Sequence, residues 1–235
     1  AQESSTPVAE DSHILKLDKL TVCTPDRSHT LVTDLSFELR VKQSLLIMGA
    51  SGTGKSSVLR TIAGLWPCGN GTLQRPALNE LMFLPQRPYM VEGNLRDQLR
   101  YPYPDQGATD EQIHEIVDRV NLADVFQRVD NDLDRVIDWT NVLSLGEQQR
   151  IAFARLFLRQ PKFAFLDEAT SALDEDNQDH LYQLLKKSGI GFISVGHRTT
   201  LMEHHARILI LDRSGSWELK PTVPAENAAG GTAVK

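Results

Sequence analysis

Cysteine is nearly missing: only Cys23 and Cys68 occur among 235 residues. So few thiols exclude a disulfide framework and a cysteine-built zinc centre, and they fit two reduced side chains. Long apolar runs are missing too. No stretch approaches the roughly 20 residues needed to cross a bilayer, and Ala1 to Asp11 carries no apolar core of the secretory kind. Positive charge is scarce. The 25 Lys and Arg against 31 Asp and Glu leave a net charge of -6, with no Lys/Arg-rich block. That balance speaks against a nucleic-acid partner, whose phosphates demand a basic face. Residues 1–13, rich in Ser, Thr, Glu and Gln, read as a linker, and residues 221–235, rich in Ala and Gly, read as a loose tail. Two loose ends around residues 14–220 lead to the expectation of a domain excised from something longer. The 40% hydrophobic content suffices for a core.

What is present begins with Gly49-Ala50-Ser51-Gly52-Thr53-Gly54-Lys55-Ser56, a match to G-x-x-x-x-G-K-[ST] at every defined position. Its glycines let successive backbone N–H groups converge on an anion. Lys55 supplies a mobile cation for the β and γ phosphates, and the Ser56 hydroxyl can ligate Mg²⁺. Ser57 completes the expected nucleotide-binding set. Before the loop, Ser44 to Met48 is a short apolar strand. After it, Ser56 to Leu65 can continue as a helix whose N-terminus points at phosphate. Strand, glycine loop and helix in this order predict a nucleotide triphosphate site.

The surrounding pattern is α/β. Ile14 to Leu17, Leu20 to Val22 and Leu35 to Leu39 read as antiparallel strands, with a turn at Thr24 to Ser28. Leu81 to Leu84, Phe163 to Leu166 and Phe192 to Val195 read as buried parallel strands. Arg207 to Leu211 and Trp217 to Leu219 are expected to add two more. Between Gln86 and Leu143 the period becomes helical, with Ile113, Ile116, Val117 and Val120 on one stripe and a capping box from Thr109 to Gln112. The predicted fold is a P-loop NTPase core with a mostly parallel sheet, an N-terminal antiparallel β subdomain and a helical insert at about 87–160.

Two further motifs carry chemistry. Phe163 to Leu166 deliver Asp167 and Glu168 at the carboxyl end of a buried strand, where α/β sheets place ligand chemistry. There Asp167 can hold Mg²⁺ and Glu168 can polarise water. The plain alternative is that either acid caps a helix. Ser144 and Glu147 have capping-box spacing ahead of a helix with Ile151, Ala154 and Leu158 on one side. The plain reading is a well-made helix start, and the sharper one is an anion site facing a second nucleotide's γ-phosphate.

In order, the chain presents the phosphate loop, Gln86, Leu143-Ser144-Leu145-Gly146-Glu147-Gln148-Gln149, the carboxylate strand, Ser171-Ala172-Leu173-Asp174, and His197. With these six motifs it resembles the nucleotide-binding domains of ABC transporters. Gly64-Leu65-Trp66-Pro67, Leu84 to Met90, Leu95-Arg96-Asp97-Gln98 and Gly215-Ser216-Trp217 resemble subfamily D. Leu143 to Arg150 looks like that group's bacterial or plastid branch. The resemblance implies an ATPase with ATP and Mg²⁺ as cofactors. It implies two copies sandwiching two ATP molecules, each held by one copy's phosphate loop and the other's Ser144, Gly146 and Glu147. Ser56, Gln86 and Asp167 would attend Mg²⁺, while Glu168, His197, Gln86 and Lys55 would serve hydrolysis, and Asp174 would meet the opposing copy. A transmembrane domain of the same transporter is the implied second partner. The implied location is the cytoplasmic face of a bacterial inner membrane or an organelle membrane. A single domain at low concentration should then hydrolyse ATP poorly.

Two departures stand out: Thr24 replaces the usual adenine-stacking aromatic residue, and Leu145 replaces a usual glycine. A soluble ABC-type ATPase without a membrane domain is the alternative, although coiled-coil, zinc or tandem insertions are not seen. A module that binds ATP without hydrolysing it is disfavoured by Asp167, Glu168 and His197. Adjacent His204 and His205 match no motif and read as surface residues.

Overall fold

The computed structural model describes residues 13–66, 69–102 and 108–222. The expected linker up to residue 12, the tail from residue 223, and Pro67 and Cys68 lie outside them. The chain divides into two compact units, Ala1–Leu78 with Gly191–Lys235, and Asn79–Ile190. Among the described residues no helix is long and apolar enough to cross a membrane.

In the first unit, β1 (Ile14–Cys23) pairs antiparallel with β2 (Thr30–Arg40), which turns back on the Thr24 to Ser28 segment. β4 (Gly69–Gln74) pairs with the other edge of β1, giving the order β2-β1-β4. The two segments expected as separate strands before Cys23 form one strand. Leu17 pairs with Phe37 but Leu20 with Leu35, so β1 carries one extra residue there, and Lys19 adopts a φ of 50°. This bulge resets the alternation, so that Leu15, Leu17, Leu20 and Val22 all face inward.

The same unit holds β3 (Ser44–Gly49) between β7 (Gly191–Val195) and β8 (Arg207–Leu211), all parallel, with β9 (Trp217–Pro221) antiparallel to β8. Leu45, Leu46 and Ile47 have no exposed surface, as befits a parallel strand covered on both faces. α1 (Lys55–Ala63) buries Val58, Leu59 and Ile62 and ends at Gly64 in the left-handed region.

In the second unit, β5 (Leu81–Leu84) runs parallel to β6 (Phe163–Asp167). Four short helices lie between them in sequence: α2 (Leu95–Arg100), α3 (Asp110–Arg119), α4 (Ala123–Gln127) and α5 (Trp139–Val142). α6 (Leu145–Arg159) follows, and α7 (Glu175–Lys187) comes after β6. The capping box expected from Thr109 to Gln112 opens α3, and Ile113, Ile116 and Val117 are its buried face.

α6 departs from the one-sided helix expected. Every residue from Ile151 to Phe157 is buried and Leu158 is only partly so, because α2 and α3 pack against it while Phe153 meets Tyr182 of α7 edge-on at 6.4 Å. Even Arg155 is buried. It donates to the main-chain oxygens of Gln98 and, at 2.8 Å, Tyr89, and its guanidinium lies over the Tyr101 ring. Burial holds its pKa down at about 10.

Candidate functional site

In the first unit the glycine loop leaves the carboxyl end of β3. Gly49 has a φ of 149°, and a Cβ there would stand 2.4 Å from the main-chain oxygen of Leu211 on β8. Only glycine fits so close an approach. Gly52 and Gly54 sit at φ 84° and 85°, and Gly54 forms the N-cap of α1. No acid occupies the first turn of α1 and no side chain caps it, so the helix start supplies no anion of its own to its N-terminal dipole. Lys55 folds back, its Nζ donating to the main-chain oxygens of Gly49 at 2.9 Å and Ala50 at 3.0 Å. Thr53 also bonds to Ala50 O through its hydroxyl, at 3.0 Å. Ala50, Ser51 and Gly52 are exposed. The loop thus holds the Lys55 ammonium against its own backbone oxygens, next to exposed Ala50 to Gly52.

Strand register sets what stands beside the loop. Ile47 pairs with Val195 in the parallel β3–β7 ladder. Two residues beyond that pair the strands reach Gly49 and His197. The loop and the exposed His197 ring therefore leave one sheet edge side by side.

The second unit repeats this device. Leu84 pairs with Leu166 in the parallel β5–β6 ladder, and two residues further the strands deliver Gln86 and Glu168. Gln86 Nε2 donates to Glu168 Oε2 at 2.9 Å. Asp167 is buried at the end of β6 and Glu168 is half-buried, with a φ of 52°. That left-handed backbone is costly for a residue with a Cβ and is the kind of strain that concentrates at working sites. Neither acid caps a helix, because α7 begins seven residues later with Asp174 as its cap.

α6 starts with the complete capping box. Ser144 Oγ accepts from the Glu147 N–H at 3.3 Å, and Glu147 Oε2 accepts from the Ser144 N–H at 2.8 Å. Burial pushes the Glu147 carboxyl up, but the Ser144 hydrogen bonds and the Arg128 guanidinium outweigh it and hold its pKa below the usual range. The plain reading of this helix start is thus correct in full. It leaves the Ser144 hydroxyl its own proton to donate. Gly146 faces the loop after β6, where a Cβ would come within 3.1 Å of Ala172 O. Asp174 accepts from the Asn177 N–H at 2.7 Å and from the Asn177 side chain, and these bonds keep its carboxyl below the ordinary value.

Two expectations change. His204 and His205 are buried, and His205 Nε2 pairs with Ser194 Oγ at 2.9 Å while Nδ1 faces Leu201 O at 2.7 Å. The partners of His205 lie on β7 and in the helical turn before it, and His204 is equally buried, so neither is a surface residue. Gln149, read only as part of a motif, is fully buried and bonded to Gln86, Ser171 and Ala172. In the sequence it stands in the polar run Glu147 to Arg150, which signals neither burial nor partners so far along the chain. Thr24 is engaged within its own loop, bonding to Asp26 Oδ1 at 2.5 Å and meeting the His29 N–H at 3.1 Å.

Comparison with known proteins gives the chain its relatives. Residues 32–171 match the family model described as ABC transporter. An ABC transporter ATP-binding protein of Synechocystis sp. is 51% identical over 87% of this chain and 31% of its own length. The lysosomal cobalamin transporter ABCD4 of Mus musculus is 45% identical over 86% of this chain and 35% of its own. ATP-binding cassette sub-family D member 3 of the same organism is 41% identical over 91% and 33%. The chain thus spans about a third of the length of these relatives. In fold it is similar to a bacterial Atm1-family ABC exporter with ATP bound, with a TM-score of 0.80 and 24% identity over 94% of this chain and 41% of that one. By sequence motif, fold and relatives, the chain belongs to the ABC transporter family, as an ATP-binding domain of the subfamily D type.

Proposed function

We propose that this chain is the ATP-hydrolysing engine of a half-transporter, working as two copies arranged head to tail around two ATP molecules. The amides of residues 49–57 and the Lys55 ammonium hold the triphosphate. Ser144, Gly146 and Glu147 present the start of α6 to the nucleotide of the opposite copy, and Asp174 meets that copy. Leu145, at the usual glycine position, is accommodated beside it. Glu168 accepts the proton of the attacking water, Gln86 orients that water, and His197 contacts the γ-phosphate. Ser56, Gln86 and Asp167 all offer oxygen, the donor type Mg²⁺ prefers. Because the nitrogen of the Gln86 amide is the end that faces Glu168, its oxygen remains for a cation. Bound there, Mg²⁺ would neutralise charge developing on the phosphates.

In this reading residues 14–220 form the domain and about 87–160 its helical part. A transmembrane domain completes the transporter on the cytoplasmic face of a bacterial inner membrane or an organelle membrane. The relatives, named as transporters, support that assignment. The observation that carries the hydrolytic role is the Gln86–Glu168 hydrogen bond at the carboxyl edge of β5 and β6. Glu168→Gln keeps the shape and removes the base. Its turnover is expected to fall by about 100-fold or more while ATP binding persists and dimers accumulate. Turnover at the parental rate would remove Glu168 from this role.

A further inference from the structure

Gln149, which the proposed mechanism leaves unused, stands at the centre of a closed circuit of hydrogen bonds. Its Nε2 donates to the main-chain oxygen of Gln86 at 2.9 Å and to Ser171 Oγ at 3.3 Å. Its Oε1 accepts from the Ala172 N–H at 3.1 Å. The Gln86 side chain continues to Glu168 Oε2 at 2.9 Å, and the Ser171 N–H returns to the Glu168 main-chain oxygen at 3.0 Å. Two separate segments therefore meet on one side-chain amide, the loop after β5 and the loop leading to α7, and each bonds onward to Glu168 at the end of β6. Gln149 itself has no exposed surface and belongs to the second turn of α6. A glutamine serving only the core would need partners, but nothing would require them to be the residues flanking Glu168.

We propose that Gln149 is a positioning residue for hydrolysis: it pins the Gln86 backbone and the Ser171–Ala172 segment so that the Gln86 amide and the Glu168 carboxylate keep their working geometry. The chain of action runs from helix α6, through one rigid amide, to the orienting group and the base. Gln149 is fully buried and acts through the Gln86 backbone and the Ser171–Ala172 segment. Its loss acts on the chemical step and not on nucleotide uptake, because displacements of about 1 Å at a reacting group cost rate heavily while binding groups elsewhere stay in place. The inference rests on Glu168 being the base.

Two substitutions separate this from a merely structural role. Gln149→Leu keeps the volume and removes all three bonds. Gln149→Glu keeps the acceptor for the Ala172 N–H but, when ionised, has no proton for the Gln86 oxygen. Burial raises the pKa of such a carboxyl, and its protonated form regains a donor. The 235-residue chain and its variants are assayed at high protein concentration, with ATP varied, at several pH values, beside Glu168→Gln. Both Gln149 variants are expected to lose about 10-fold or more in kcat, with KM within about 2-fold of the parent. The Gln149→Glu to parent ratio of kcat is expected to rise as pH falls from about 8 to about 6. Parental kcat in folded variants would overturn the proposal, as would a change confined to KM. Should Gln149→Leu not fold, Gln149→Glu decides alone. Failure of both to fold assigns Gln149 to stability and also overturns it. Parental turnover in Glu168→Gln would instead refute the base, whereas an inactive Glu168→Gln beside fully active Gln149 variants refutes this inference only.

Discussion

Gly49 concentrates what a single residue can reveal in advance. A glycine opening a phosphate loop is legible from its pattern, and the structure supplies the reason: φ of 149° and a would-be Cβ 2.4 Å from Leu211 O. Gly49→Ala is expected to weaken nucleotide binding by about 10-fold or more and to lower thermal stability, since both the backbone and β8 must shift. A titration with fluorescent ATP and a melting curve would check it, and parental values in both would show that the close approach is not needed. Buried polar residues were less legible. His205 depends on Ser194 and Leu201, and Gln149 on residues 63 and 22 positions away. No local period encodes such partners, so neither burial could be anticipated.

Among elements, those with a strong local signal came through: the β3–loop–α1 unit, β6, β7 and the capped starts of α3 and α6. The pattern of β1 looks like two strands because its bulge at Lys19 breaks the two-residue period, and β4 (Gly-Asn-Gly-Thr-Leu-Gln) carries almost no apolar pattern. The sequence pattern of α6 is one-sided while its burial is not, because burial around a central helix depends on neighbours on every side. Its start makes a pH prediction. The folded Glu147 carboxyl lies below its ordinary value of 4.5, so its contribution to stability is complete above that value and lost as pH falls through the folded one. Glu147→Gln should therefore be less stable than the parent near neutrality, with the gap closing in acid. Chemical denaturation of both proteins along a pH series reads this directly, and a constant gap would contradict it.

At the scale of the whole chain, both units use one architectural rule: parallel strands bring two candidate site residues out together at their carboxyl ends. β3 and β7 do so for Gly49 and His197, and β5 and β6 for Gln86 and Glu168. The order of motifs along the sequence announced the family, while the two-residue overhang beyond each register pair is visible only in three dimensions. Everything proposed about hydrolysis presupposes that the loop after β3 takes up nucleotide. Calorimetric titration of the purified chain with Mg·ATP, beside Lys55→Ala, tests that most directly. The account predicts saturable binding in the millimolar range or tighter, weakened by about 10-fold or more when the ammonium is removed. No uptake by the parent, or identical uptake by Lys55→Ala, would contradict it.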